Sequence, residues 1–479
     1  MTLAPSGAGG DKPIAMASAP DPTDAPTSAT TLARHQSGAG EATIFATATG
    51  PGGAIAVMRV SGAATAALVA TLAGRLPAPR VATLRKLRAA DGTLLDRGLV
   101  LFNPAPRSYT GEDYAELHVH GGRAVRAALA EALLALGARP AEPGEFSRRA
   151  FGNGRLGLLE AEAVADLIAA ETEAQRRLAL AGAEGAAAAA IAGWRDALIG
   201  LMARQAALID FADEDLPDET DAALTRDIAA LAGTLRRAAG AAEGASRLRE
   251  GLDIVVLGAP NAGKSTLVNA IAGEEVAIVS EIPGTTRDAV GTRVAIAGVP
   301  VRLTDTAGLR ASDDAIEAEG VRRARARGAA ADLVLALAAP PDFAFPEAAE
   351  GVAVLRVATK RDLTDRDARG ADPWAGGPPA CVLAVSAATG QGMGALLARI
   401  EAEVERLTAR SDAASLARPR QIACLREMIA ALDAARAETT PELRAEELQA
   451  AANALARLTG AIGVEDVLDR VFASFCIGK

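Results

Sequence analysis

The segment from residue 258 to residue 265 constrains the fold of this chain more than any other. It reads G-A-P-N-A-G-K-S and fits the phosphate-loop pattern G-x-x-x-x-G-K-[ST]. The apolar run 252–257 before it predicts a short buried strand, and residues 266–272 after it predict a helix that Gly273 ends. In that order the glycines let backbone N–H groups turn toward an anion, and the helix N-terminus adds partial positive charge. The segment therefore predicts a strand, a loop and a helix that together bind phosphate.

Two side chains of this loop match the chemistry of a nucleoside triphosphate bound with Mg²⁺. Lys264 is expected to reach the β- and γ-phosphates, and the Ser265 hydroxyl to hold the metal. A lysine here is informative because 50 residues are Lys or Arg and only a few of them are lysine. Arginine is a planar fork and lysine a compact point charge, so the two are not equivalent at a phosphate loop. The lysines are Lys12, Lys86, Lys264, Lys360 and Lys479.

Two motifs downstream are typical of the switch segments of GTPases. Residues 284–288 (G-T-T-R-D) contain Thr286, which could complete the Mg²⁺ shell. Residues 305–308 (D-T-A-G) offer an acid to the metal and a glycine N–H to the γ-phosphate. Segments held by such contacts are released after hydrolysis.

Two more motifs favour guanine as the base. Residues 359–362 (T-K-R-D) follow a predicted strand at 352–358 and resemble the guanine-reading pattern N-K-x-D. Asp362 can accept from the N1–H and 2-amino donors of guanine, which disfavours an ATPase or kinase. Ser386-Ala387 follows a further predicted strand at 382–385, where the contact with guanine O6 usually lies.

Two positions depart from the usual GTPase pattern. Thr359 stands where asparagine is usual, so the affinity for GTP could be weaker. Leu309 follows the 305–308 motif where many GTPases have a glutamine that orients the attacking water, and leucine cannot orient water. The acidic run at 313–319 offers other partners for that water, although such a run is more often a solvated helix face.

Composition bounds the remaining possibilities. A chain of 479 residues is expected to form about three domains. The net charge of −10 argues against a broad nucleic-acid-binding surface, while local basic patches stay possible. The cysteines Cys381, Cys424 and Cys476 lie far apart, which predicts neither disulfides nor a zinc site and fits a reducing compartment. The apolar runs are interrupted by charge, so no membrane span is predicted.

Periodicity divides the chain into five segments. Strand-like runs at 54–60, 98–102 and 114–120, with a helix from 121 to 136, predict an α+β domain. Helical spacing from 156 to 248 returns after the nucleotide motifs, and a last helix is predicted at 464–475. The fold class is therefore multidomain α/β, with a Ras-like P-loop domain of mostly parallel sheet and helices on both faces inserted into a discontinuous all-α domain. The segments are a disordered tail (1–40), the N-terminal domain (41–153), a first helical segment (154–249), the GTPase domain (250–406) and a second helical segment (407–479).

Motifs outside the nucleotide domain resemble one family. They are 50–53 (GPGG), 59–62 (RVSG), 109–113 (YTGED), 120–122 (HGG), 143–147 (PGEFS) and the ending 475–479 (FCIGK). From about residue 43 to the end, the chain resembles the MnmE (TrmE) family of bacterial tRNA modification GTPases. The resemblance implies a cytoplasmic homodimer whose N-terminal domain binds folate and dimerises. It also implies a heterotetramer with an FAD-dependent partner protein, which acts on tRNA.

The resemblance further implies the reaction and some of its site residues. The complex would place a (carboxymethyl)aminomethyl group on C5 of the wobble uridine, with a one-carbon unit from 5-formyl- or methylene-tetrahydrofolate. Arg59, Glu116, Arg155 and Lys479 match folate positions, with Arg155 standing where some relatives have lysine. Read alone, Arg59 and Glu116 would be surface charges.

The resemblance also implies how GTP is hydrolysed. Glu317 matches the acid that orients water, and with Lys264 and Cys476 it completes the catalytic candidates. Cys476 stays open between a thiol near the one-carbon chemistry and a packing residue. GTPase domains would pair across the dimer around K⁺, which takes the place of an arginine finger. The matching potassium positions are Asn261, Ser280, Ile282 and Thr285, and the Mg²⁺ positions are Ser265 and Thr286.

The GTP-binding residues expected from motifs and resemblance together form four groups. They are Asn261, Ala262, Gly263, Lys264, Ser265 and Thr266; Ser280, Glu281, Ile282, Pro283, Gly284, Thr285 and Thr286; Asp305, Thr306, Ala307 and Gly308; and Thr359, Lys360, Asp362, Ser386 and Ala387. The alternative function is a ribosome-assembly GTPase switch that binds RNA and does no chemistry. Such proteins usually carry an RNA-binding module after the nucleotide domain, and no GXXG loop in such a context is evident here.

Overall fold

The computed structural model describes residues 42–210, 218–273, 291–305, 326–340, 343–363, 382–408, 416–461 and 478. The predictions for the tail 1–40, most of the two switch motifs and the helix at 464–475 lie outside these residues. Among the described helices, no single one is long and apolar enough to cross a membrane. One bent pair, Glu173–Ala183 with Ala188–Asp210, meets that length and composition test.

The N-terminal region is a six-stranded sheet with two helices packed on one face. Its elements are β1 (Ile44–Thr47), β2 (Ile55–Ser61), α1 (Thr65–Ala73), β3 (Thr83–Arg88), β4 (Leu94–Asn103), β5 (Tyr114–His120), α2 (Arg123–Ala135), β6 (Arg139–Pro140) and α3 (Glu145–Gly152). The strand order is β3-β4-β5-β2-β1-β6, antiparallel except between β1 and β6. Alternate residues of β2 and β5, such as Met58 and Leu117, pack with Leu133 of α2 in the core. The predicted strands are confirmed, and β4 begins four residues earlier than the prediction.

A helical stretch follows and leads directly into the nucleotide motifs. It comprises α4 (Leu158–Ala169), α5 (Glu173–Ala183), α6 (Ala188–Asp210) and α7 (Asp218–Glu250). Gly251, with a φ of 82°, ends α7 and starts the next strand. Thr172 caps α5 by accepting from the backbone N–H of Gln175, whose side chain bonds back to the Thr172 N–H.

The nucleotide motifs lie on a second six-stranded sheet. Its elements are β7 (Leu252–Gly258), α8 (Lys264–Gly273), β8 (Thr292–Ile296), β9 (Val299–Asp305), β10 (Leu333–Ala338), β11 (Ala353–Ala358), β12 (Leu383–Ala384) and α9 (Met393–Leu407). The order is β12-β11-β10-β7-β9-β8, and only β8 is antiparallel to its neighbour. The predicted parallel sheet is confirmed. Helix α8 begins at Lys264, two residues before the predicted start, because the helix continues directly from the loop after Gly263.

Two final helices, α10 (Pro419–Ala437) and α11 (Pro441–Thr459), pack against the earlier helical stretch. One hydrophobic core joins Trp194 and Leu198 of α6 with Leu235 of α7, Leu425 of α10 and Leu455 of α11. Segments separated by the whole nucleotide sheet therefore share a core.

Candidate functional site

The nucleotide motifs meet at one edge of the second sheet. Strands β7, β9, β10, β11 and β12 run parallel, so their carboxyl ends lie together. The phosphate loop follows β7, Asp305 ends β9, residues 359–362 follow β11 and Ser386 follows β12. This edge is where open α/β sheets bind ligands.

The phosphate loop is held by close backbone packing and two left-handed residues. Asn261 has a φ of 61° and Gly263 a φ of 86°. A Cβ atom at Gly258 would lie 2.8 Å from the carbonyl oxygen of Leu337 on β10, so only glycine fits that approach. Lys264 is buried, and its Nζ donates to the carbonyl oxygens of Gly258 and Ala259 at 3.0 and 2.9 Å. The loop thus curls around the lysine ammonium at the start of α8.

Ser265 and Asp305 meet beside the loop. The Ser265 hydroxyl donates to the Asp305 carboxylate, which β9 presents next to β7. A hydroxyl and a carboxylate are the hard oxygen ligands that Mg²⁺ takes together with nucleotide phosphates. Within the described residues, no group of three or more His, Cys, Asp or Glu side chains could hold a metal alone. The donor set therefore suits Mg²⁺ bound with phosphate.

Thr359 links the phosphate loop to the base-reading loop. It is 4% exposed, and its hydroxyl lies 2.7 Å from the carbonyl oxygen of Ala262 and 3.3 Å from that of Ala338. The Thr359 hydroxyl therefore donates to the backbone of the phosphate loop.

Asp362 and Ser386 form the opposite end of the site. The buried Ser386 hydroxyl donates to Asp362 Oδ1 at 2.6 Å and accepts from the Thr389 N–H at 3.2 Å. The backbone N–H of Arg361 donates to the Val385 carbonyl at 3.0 Å. These bonds align the two loops that sequence motifs assign to guanine, and the exposed Asp362 carboxylate is available to a ligand.

A second polar cluster lies on the N-terminal sheet. Arg59 on β2 is paired directly with Glu116 on β5, and Arg59 Nε lies 3.4 Å from Glu116 Oε1. The same carboxylate accepts from the Tyr114 hydroxyl at 2.8 Å and contacts His118 Nε2 at 3.1 Å. The Arg59 guanidinium also lies 6.0 Å from the centre of the Tyr109 ring. The two predicted residues are thus in contact, and burial raises the pKa of the Tyr114 phenol.

Arg155 contacts the loop next to this cluster, and Gly478 contacts Arg59 itself. A Cβ atom at Gly111 would come within 3.1 Å of Arg155 Cγ, so Arg155 packs against the loop that also carries Tyr109. Arg59 Nη1 donates to the Gly478 carbonyl at 3.2 Å. Gly478, with a φ of 100°, sits against the end of β1. The next residue, Lys479, lies outside the described residues.

Sequence reasoning did not place Tyr114 in this cluster, and it interpreted His118 and His120, at the end of a strand, as structural more often than catalytic. The spacing of Tyr114 and His118 on either side of Glu116 places all three on one face of β5, and that alternation was the available signal. Other site predictions lie outside the described residues: Ser280, Glu281, Ile282, Pro283, Gly284, Thr285, Thr286, Thr306, Ala307, Gly308, Glu317 and Cys476.

Comparisons with known proteins match most of the chain. A family model described as the MnmE helical domain matches residues 158–476, and one described as the GTP-binding protein TrmE N-terminus matches 43–155. The tRNA modification GTPase MnmE of Acidiphilium cryptum (strain JF-5) is 64% identical over 436 residues, which cover 91% of this chain and 98% of that protein. The chain belongs to the MnmE family of tRNA modification GTPases.

Other relatives lie at greater distance. The MnmE of Granulibacter bethesdensis is 49% identical over 448 residues, covering 91% of this chain and 99% of that protein. The MnmE of Gluconacetobacter diazotrophicus is 50% identical over 444 residues, covering 91% and 98%. The match to the G domain of the T. maritima FeoB iron transporter covers 33% of this chain and 98% of that one, at 22% identity and a TM-score of 0.20.

Proposed function

We propose that this chain hydrolyses GTP as one subunit of a complex that adds a (carboxymethyl)aminomethyl group to C5 of the tRNA wobble uridine. The observation that carries the proposal is the meeting of three groups at one sheet edge in a member of the MnmE family. These groups are the phosphate loop, the Ser265–Asp305 pair and the Asp362–Ser386 pair.

Different nucleotide-binding residues contact different parts of GTP. Lys264 neutralises phosphate charge, and the helix α8 N-terminus adds to it. Ser265 and Asp305 would hold Mg²⁺ together with Thr286 from the switch segment, and the metal would offset charge on the phosphate oxygens. Asp362 accepts from the guanine N1–H and 2-amino group, while the Ser386 hydroxyl orients the Asp362 carboxylate by donating to its Oδ1.

Hydrolysis is assigned to the switch residues and a second copy of the chain. Glu317 orients the attacking water, because Leu309 cannot. Asn261, Ser280, Ile282 and Thr285 would bind K⁺ when two GTPase domains pair in the homodimer. Asn261 supports this assignment because it is exposed on the phosphate loop, where its backbone has a left-handed φ of 61°.

The Arg59–Glu116 cluster is proposed to hold a tetrahydrofolate. Glu116 offers a carboxylate to ring N–H donors, while Arg59, Arg155 and Lys479 offer cations to the acidic tail. The folate, 5-formyl- or methylene-tetrahydrofolate, would supply the one-carbon unit. An FAD-dependent partner protein, in a cytoplasmic heterotetramer with this chain, would carry out the redox step of the reaction.

The experiment is mass spectrometry of tRNA nucleosides from cells that lack this chain and carry either the wild type or Glu317→Ala. The wild type is expected to restore C5-aminomethyl-type wobble uridines, and Glu317→Ala is not. In vitro, Glu317→Ala should keep GTP affinity and lose on the order of a hundredfold or more in kcat. Wild-type turnover should be faster in K⁺ than in Na⁺.

Three results would count against the proposal or one of its parts. A nucleoside profile that is the same with and without the chain would favour an RNA-binding GTPase switch. Undiminished hydrolysis by Glu317→Ala, or equal rates in K⁺ and Na⁺, would remove the assigned hydrolytic role or the potassium site.

A further inference from the structure

Residues 75–107 of this acidic chain are rich in basic side chains. The chain has a net charge of −10, yet residues 75–107 contain seven basic residues and two acidic ones. The basic residues are Arg75, Arg80, Arg85, Lys86, Arg88, Arg97 and Arg107, and the acidic ones are Asp91 and Asp96. All seven are exposed except the half-buried Arg85. The segment spans β3 and β4 at the edge of the N-terminal sheet.

These cations have no carboxylate partner within the residues that the structure describes. Arg80, Arg85 and Arg88 donate to backbone carbonyls, and no ion pair among the described residues involves any of the seven. Asp96, the nearest acid in sequence to Arg97, accepts from the backbone N–H groups of Arg97 and His120 and contacts the His120 ring. Many arginines of the helical segments are paired, for example Arg236–Asp433, Arg426–Glu243 and Arg457–Glu427. The cations of β3 and β4 are therefore available to an external anion.

Strand register places two of them where they repel each other. Lys86 on β3 stands directly opposite Arg97 on β4. Like charges in this position destabilise an antiparallel pair. Lysine on an edge strand can serve to prevent sheet-to-sheet pairing. Protection of a sheet edge does not explain the charge of Arg97, because β4 lies inside the sheet between β3 and β5.

The same register connects this pair to the Arg59–Glu116 cluster. Arg97 and Leu101 share one face of β4, Leu101 is paired with Glu116, and Glu116 is paired with Arg59. Lys86 and Arg97 therefore lie on the sheet face that carries the cluster. From β3 to β2 the distance across the sheet is three strand spacings, about 15 Å.

We propose that the face of β3 and β4 around Lys86 and Arg97 binds the phosphate backbone of the tRNA whose base is modified. The proposal rests on the proposed function, because it assumes an RNA substrate reacting near Arg59 and Glu116. Phosphate contacts fix the position of a nucleic acid without reading its sequence. Contacts on this face would hold the backbone while an unstacked loop base reaches the cluster.

The test compares tRNA binding by full-length wild type and by Lys86→Gln/Arg97→Gln. The probe is an unmodified tRNA transcript with a fluorescent label, titrated by anisotropy at several KCl concentrations. The variant is expected to bind on the order of tenfold more weakly at about 0.1 M salt. Its plot of log K against log salt should be shallower by about 1.5, since two phosphate contacts are lost. Its thermal stability should be equal or higher, because a repulsive pair is removed.

The control is Arg226→Gln/Arg436→Gln, which removes the same charge from exposed arginines of α7 and α10 that form no ion pair among the described residues. It should bind tRNA like the wild type. The proposal is overturned if the Lys86/Arg97 variant keeps wild-type affinity and salt slope, or if the wild type does not bind the transcript. It is also overturned if light scattering shows that the variant changes oligomeric state, which would assign the face to a second copy.

Analysis of tRNA nucleosides distinguishes a wrong assignment of the tRNA-binding surface from a wrong proposed function. If the wild type restores modified wobble uridine in cells while the variant binds tRNA normally, only the surface assignment is wrong. If the wild type restores nothing, the proposed function fails whatever the binding data show.

Discussion

Thr359 shows how one side chain can join two binding loops. Its hydroxyl bonds the Ala262 carbonyl within the phosphate loop from the end of β11. The sequence marked this position only as a departure from asparagine. The contact depends on a partner 97 residues away along the chain, so local pattern could not reveal it.

Thr359→Val keeps the shape of the side chain and removes this donor. We expect the Kd for GTP to rise about fivefold, since an unsatisfied buried carbonyl is worth about 1 kcal/mol. Preference for GTP over ATP should persist, because Asp362 is unchanged. The measurement is titration with a fluorescent GTP analogue.

Thr408→Val is the matched control, since that buried hydroxyl donates to the Val404 carbonyl within α9. Wild-type affinity in Thr359→Val would show that the bond to the loop does not support nucleotide binding.

At the scale of elements, β7 and the phosphate loop depend on a glycine contact. Gly258→Ala would place a Cβ atom 2.8 Å from the Leu337 carbonyl oxygen and 3.1 Å from Leu337 Cβ. Because both belong to β10, the strand end must shift, and we expect GTP affinity to fall by a factor on the order of ten or more. Equilibrium GTP binding measures the change.

Gly273→Ala at the end of α8 is the control, because nothing lies within 4 Å of a Cβ atom there. It should bind GTP normally and gain up to about 1 kcal/mol of stability. Equal affinities in the two variants would contradict the close-packing account.

Element boundaries were predicted best where the signal was local. For helix α2, the start predicted from the sequence lies two residues before the observed start at Arg123, because Gly121-Gly122 and Gly137 mark the two ends of the helix. Strand β4 was predicted only at 98–102, since Leu94, Asp96 and Arg97 do not alternate in hydrophobicity. Its earlier half exists because it pairs with β3, a contact that local pattern does not specify.

At the scale of the whole molecule, one carboxylate contacts both the segment that leads into the nucleotide sheet and the segment that follows it. Asp166 on α4 bonds Arg418, just before α10, at 2.8 and 3.1 Å. It also lies 3.5 Å from Arg249, at the end of α7. Nearby, Glu171 pairs with Arg293 on β8 at 3.1 Å, and Ala174 of α5 packs in the core of the nucleotide sheet. These contacts tie the nucleotide sheet to α4 and α5.

Asp166→Ala should loosen this junction without touching the nucleotide site. We expect a loss of about 2 kcal/mol in local stability, since two mostly buried arginines each lose one of their partners and keep the others. Hydrogen exchange should accelerate in peptides covering 245–250 and 416–421, while the Kd for GTP changes little. Mass spectrometry of exchange measures the effect.

Asp196→Ala provides the control, because its ion pair with Arg195 is exposed and worth little. Unchanged exchange at both junction peptides in Asp166→Ala would show that the carboxylate does not hold the junction.

The sequence by itself determined the phosphate loop, the strand before it and the helix after it. It also determined the order of the motifs that match guanine-reading segments. All of them lie at one edge of the sheet, as its parallel topology requires. Local backbone chemistry specifies such segments, so they can be read without a structure. Tertiary structure decided which distant groups meet: Arg59 with Glu116 and the Gly478 carbonyl, Thr359 with the loop, and Lys86 opposite Arg97. Those contacts follow from strand register and core packing, which depend on residues far apart in the sequence.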